Sequence, residues 1–88
     1  MERLDYQHLY CFFTAVERGG VVQAANHLRL SRPTLSMQLK HLGDRLGGDL
    51  FEQNGRTVVL TDLGRLVHAY AARIFATGDE LLRAARLR

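Results

Sequence analysis

The 88-residue chain has no tryptophan, one cysteine and one proline. The lone thiol, Cys11, cannot close a disulfide within the chain, and histidines at 8, 27, 41 and 68 are too scattered to form a Cys/His metal set. Neither a staple nor a metal is therefore expected to supply stability. No uninterrupted apolar stretch approaches the roughly 20 residues that span a bilayer, and no basic start leads into an apolar run. Membrane insertion and secretion are excluded as expectations, and a cytoplasmic chain is left. Ser31, Ser36, His41 and Asp44 contain the residue types of a hydrolytic triad. Yet neither serine sits in a glycine-flanked elbow and there is no glycine-rich phosphate loop, so no catalytic residue, metal or cofactor is assigned. The most informative absence is of acid: between Glu17 and Asp44 there is no Asp or Glu, while Arg18, Arg29, Arg32 and Lys40 fall inside the gap.

The residues present, 47% hydrophobic and 24% charged, suit one small globular domain and leave no room for a second. A domain of this size buries a modest share of its surface and leans on a partner for part of its stability. The net charge of +3, with eleven of the twelve basic residues being arginine, favours bidentate contacts to phosphate or guanine.

Periodicity divides the chain into helices and one hairpin. Asp5 can cap a first helix in which Leu9, Phe12, Phe13 and Val16 recur at helical spacing, and Gly19-Gly20 ends it. A short second helix places Val21, Ala24, Ala25 and Leu28 on one face, the small alanine pair allowing close approach of another helix. Only Arg29, Leu30 and Ser31 separate it from a third, a connection of helix-turn-helix length. Ser31 is a good N-cap. Pro33 falls in the first turn, where its missing N–H costs nothing and its fixed φ suits a helix. Leu35, Leu39, Leu42 and Leu46 then form one buried stripe, opposite a polar face of Arg32, Thr34, Ser36, Met37, Gln38, Lys40 and His41. After Gly47-Gly48, Asn54-Gly55 between two β-prone runs predicts a hairpin wing over 52–57. Thr61 caps a last helix of about 25 residues, roughly 37 Å, too long for so small a body to cover. The pattern runs to the final residue with no stop signal.

These elements predict a mainly α fold: a winged helix-turn-helix of three helices and a small β-hairpin over 1–61, then a linker and dimerisation helix over 62–88. In that arrangement the helix at about 32–46 enters the major groove, its N-terminal residues nearest the base edges. Arg32 can pair with guanine O6 and N7, and Gln38 with adenine N6 and N7. Thr34 and Met37 offer methyl groups to thymine, and Ser36 and Lys40 suit phosphates or base acceptors. Ser31 and Pro33 set the first turn. Gln53, Asn54 and Arg56 form a wing tip for the minor groove or its flanking phosphates. Leu63, Leu66, Val67, Tyr70, Ile74, Phe75, Leu81 and Leu82 form the seam expected to meet a second copy. The alternative weighed is a helical protein-interaction module that uses the 62–86 helix alone.

The segment from Ala24 to Gly64 closely resembles the N-terminal domain of LysR-type transcriptional regulators. The small Ala24-Ala25 pair, Ser31-x-Pro33, Ser36, Gln38, Leu46-Gly47, Leu50-Phe51 and Leu60-Thr61-x-x-Gly64 occur in order and at the family's spacing. "HLYCFF", "VV.AA" and "LTDLGRLVHAYAARIF" look most like the branch that activates sodium/proton antiporter genes. The resemblance implies a bacterial cytoplasmic regulator that binds a roughly palindromic double-stranded DNA site. It implies homodimerisation through the linker helix, and an effector sensed only through a C-terminal domain absent from these residues. Arg32 stands where the family commonly has glutamine, Met37 where arginine is frequent, Gly43 where glutamate follows, and Gln53 where the wing has arginine. Gly20 and Val22 replace a Ser and a Thr that often contact the DNA backbone.

Overall fold

Three helix starts carry an oxygen-bearing side chain, and each is closed by it. The Asp5 carboxylate accepts from the Gln7 and His8 N–H at 2.9 and 3.0 Å, Ser31 Oγ from the Thr34 N–H at 3.2 Å, and Thr61 Oγ1 from the Gly64 N–H at 2.9 Å. Such caps are worth about 1 kcal/mol each. In the computed structural model, which describes residues 3–88, they open α1 (Tyr6–Glu17), α3 (Arg32–Leu46) and α4 (Asp62–Leu87). Residues 1 and 2, the start of the expected 1–61 unit, lie outside the described residues. Between them come α2 (Val21–Leu28), which begins at Gly20 with no side-chain cap, and a hairpin of β1 (Phe51–Asn54) and β2 (Thr57–Leu60).

Helix α1 is the hub. On one side Leu9 and Phe12 pack with Leu42 of α3, Leu50, and Val67 and Ala71 of α4. On the other, Cys11 and Ala15 pack with Ala24 and Ala25 of α2 and Leu35 of α3. The alanine pair lets α2 lie close, as its spacing predicted. Leu39 and Phe51 touch both clusters and join them. Phe12 is fully buried, so its truncation to alanine would cost about 3–5 kcal/mol.

The two strands pair antiparallel with Phe51 opposite Leu60 and Asn54 opposite Thr57. The central turn residues are therefore Gly55 and Arg56, one position later than the expected Asn54-Gly55. Gly55 has φ +64°, while Arg29 is the one non-glycine residue of positive φ among those described. This is the type II′ pattern, in which only the first central residue is left-handed, so Arg56 keeps its Cβ without strain. Thr61 ties the wing to α4: its N–H donates to the Leu50 carbonyl at 3.1 Å and its hydroxyl to the Asp49 carbonyl at 2.6 Å.

Candidate nucleic-acid interface

The buried stripe of α3 fixes what its other side presents. Leu35 and Leu42 are buried and Leu39 and Leu46 half-buried, which turns Arg32, Pro33, Ser36, Met37 and Lys40 to solvent. Arg32 is the first helical residue, and its side chain has no hydrogen bond or ion pair among the described residues. Met37, half exposed, is an apolar contact in the middle of this face. Lys40 pairs loosely with Asp44 at 3.6 Å, both side chains well exposed, a bond weak enough to yield to a phosphate.

Three more of the expected residues around α3 are engaged within the chain. The Ser31 hydroxyl caps α3 and also donates to Thr34 Oγ1 at 2.8 Å, so both hydroxyls are committed to the first turn. Gln38 is half-buried on the flank facing α1, where its Oε1 accepts from the Cys11 thiol at 2.9 Å. Gln7 in turn donates to Cys11 Sγ at 3.8 Å. Burial raises the Cys11 pKa above the ordinary thiol range, so this donor stays protonated. This contact holds the Gln38 oxygen toward α1 with one of its two lone pairs taken.

The wing stands to one side of α3. At its tip Arg56 is exposed and unpaired among the described residues, and Asn54 is exposed, but the Gln53 amide donates to the Gly55 carbonyl at 2.9 Å and braces the turn. A largely apolar groove runs between the wing and the start of α2, lined by Val22, Gln23, Arg56, Thr57 and Val58 among others. Gly20 and Val22, unlike a Ser and Thr pair, bring no side-chain donor to this edge.

The seam on α4 divides. Val67 is buried in the chain's own core, and Leu63, Ile74 and Phe75 pack against it. Leu66, Tyr70, Leu81 and Leu82 are at least half exposed and form the free part, together with Leu87.

Some contributors were not read from the sequence. Arg29 closes α2 in a left-handed conformation (φ 57°, ψ 42°), a position the glycine rule for helix ends does not find when no glycine is there. Leu30, within the turn, packs under α2. Gly43 is buried against the Gly48 carbonyl, which an added Cβ would meet at 2.7 Å, so the missing family glutamate reflects a close backbone approach. Among the described residues no group of His, Cys, Asp or Glu is arranged to hold a metal, and no helix is long and apolar enough to cross a membrane.

A family model described as "Bacterial regulatory helix-turn-helix protein, lysR family" matches residues 6–65. The Transcriptional activator protein NhaR of Escherichia coli (strain K12) is 39% identical over 82 residues, covering 93% of this chain and 27% of that protein. The chain thus spans about a quarter of the length of that relative. Among solved structures, the DNA-binding domain of BenM in complex with catB site 1 DNA superposes with a TM-score of 0.83 at 29% identity, covering 93% of this chain and 92% of that one. The CbnR DNA-binding domain in its DNA complex superposes with a TM-score of 0.79 at 28% identity, covering 94% and 95%.

Proposed function

Since this chain belongs to the lysR family of bacterial regulatory helix-turn-helix proteins, we propose that it is the sequence-reading part of a transcriptional regulator. On this reading it binds double-stranded DNA, with α3 in the major groove and the wing at the minor groove or its phosphates. The observation that carries the reading is the capped N-terminus of α3, where an exposed Arg32 with an unpaired side chain begins a face that carries no acid before Asp44. Its support is the superposition, over nearly the whole chain, on the BenM domain solved with DNA. The likeness to NhaR supports the antiporter-activator branch.

Discrimination rests on Arg32 and Met37, with Gln38 held on the flank toward α1. Guanine rewards the first through O6 and N7, and thymine the second through its methyl group. Arg56 and Lys40 add sequence-independent attraction. Two copies joined along the exposed part of α4 would place their α3 helices on major grooves about 34 Å apart or a multiple of it, hence a roughly palindromic site. The chain then acts in the cytoplasm, as a binder and not as an enzyme, and any effector acts through segments outside these residues.

Selection of bound duplexes from a random pool tests this reading, followed by Arg32→Ala. We expect the variant to lose about 1–3 kcal/mol of discrimination at one base position of each half-site. Arg56→Ala is expected to weaken specific and random duplexes alike. Equal losses on both duplexes for Arg32→Ala would refute the assignment of α3 as the reading helix.

A further inference from the structure

Three helices of this chain end in closely related ways, and one of them breaks the chain's own pattern. At the end of α1 the Gly20 N–H reaches back to the Ala15 carbonyl at 2.9 Å, across Gly19 at φ +85°. At the end of α3 the Gly48 N–H reaches the Gly43 carbonyl at 3.0 Å, across Gly47 at φ +97°. At the end of α2 the Leu30 N–H reaches the Ala25 carbonyl at 3.0 Å, across a residue at φ +57°, and that residue is Arg29. This closure requires a left-handed residue, which glycine supplies without strain and a residue with a Cβ does not. The fold therefore explains the conformation at position 29 but not the arginine.

Nothing else among the described residues explains it either. Its backbone N–H closes α2 on the Ala25 and Asn26 carbonyls, but the exposed Arg29 side chain has no hydrogen bond, ion pair or ring contact among the described residues. No acid lies between Glu17 and Asp44, so no neighbour along this stretch can pair with it. It sits in the turn between the two helices of the motif, three residues before Arg32. Strain kept at one position and unrewarded inside the chain points to a partner outside it.

We propose that Arg29 is a further DNA contact, a guanidinium that binds a backbone phosphate beside the groove entered by α3. Its role is affinity and positioning, not base choice, because phosphate contacts carry no direct sequence information. The inference rests on the DNA-binding reading above.

The test exploits opposite signs. Arg29→Gly relieves the strain and removes the charge, so thermal unfolding of the 88-residue chain should shift upward by a few degrees while DNA binding weakens. The loss should be several-fold and equal on the selected duplex and on a random duplex of the same length. Each copy bound should also lower the slope of log affinity against log salt by about 0.9. Arg29→Lys, which keeps the charge and the Cβ, should recover the slope without the thermal gain. An unchanged salt slope in Arg29→Gly overturns the proposal whichever way stability moves. A lower melting temperature for the glycine variant overturns it too, since the fold would then need this arginine. Failure of the unsubstituted chain to bind either duplex would instead strike the DNA-binding reading itself.

Discussion

The two halves of α4 carry the same kind of apolar seam and have different fates. From Leu63 to Phe75 most of the seam belongs to the domain: Val67 and Ala71 are buried, and Leu63, Ile74 and Phe75 close over Leu9 and Phe12, while Leu66 and Tyr70 stay exposed. From Ala76 onward every residue is exposed, although Leu81, Leu82 and Leu87 continue the apolar pattern. The difference lies in what each half can reach. Helix α1, the surface on which α4 lies, is 12 residues or about 18 Å long, while α4 is 26 residues or about 39 Å. A spacing of threes and fours says that a stripe is to be covered; the length of the neighbour decides whether the chain covers it itself.

The strongest way to break the comparison is at Gly64, where the first half meets the wing. A methyl group there would overlap the Leu50 carbonyl oxygen, which is backbone and cannot swing aside. Gly64→Ala is expected to cost about 3 kcal/mol or more, lowering the melting temperature by ~12 °C or more in a domain this small. Urea and thermal unfolding measure it. A loss below about 1 kcal/mol would show that the first turn of α4 is not fixed by the wing.

Substitution in the second half should leave the domain intact and act on association alone. Leu81→Asp with Leu82→Asp introduces charge where the single chain leaves these residues 67% and 51% exposed. Melting at concentrations too low for self-association should be unchanged. Sedimentation equilibrium should show the dimer weakened by ~100-fold or more, a loss of about 3 kcal/mol. If the double variant still associates like the parent, the dimer uses some other surface. The same aspartate at Val67 should instead unfold the chain, because that position lies in the core.

The same contrast explains how much could be read from the sequence. The caps Asp5, Ser31 and Thr61, the leucine stripe of α3, the three-residue turn and the hairpin are all local signals, carried by residues close together along the chain. The exposed polar face of α3 follows from the stripe by geometry. What stayed hidden depends on distant or backbone partners. Cys11 holds Gln38 across 27 residues, and no spacing rule connects them. Gly43 looks like a lost glutamate until the Gly48 carbonyl is seen against it. The seam of α4 reads as one continuous dimer surface because periodicity does not record that Val67 already has partners.

The smallest effect concerns the ground beneath the first half, the cap of α1. The N–H of His8, donating to the Asp5 carboxylate, holds its pKa below the ordinary aspartate value, with the N–H of Gln7 and the charges of His8 and Arg45 adding to the effect. A group whose pKa is lower folded than unfolded contributes stability that is present above the unfolded value and disappears as pH falls through the folded one. Acidification from neutral pH should therefore loosen α1, and with it the edge-on packing of Tyr10 against Phe75, whose ring centroids are 5.1 Å apart. Asp5→Asn keeps a capping side chain but has no proton to take up. Its melting temperature should fall less steeply than the parent's below about pH 4, with little difference at pH 7. Parallel curves for the two proteins would show that the Asp5 charge contributes nothing to holding α1 under α4.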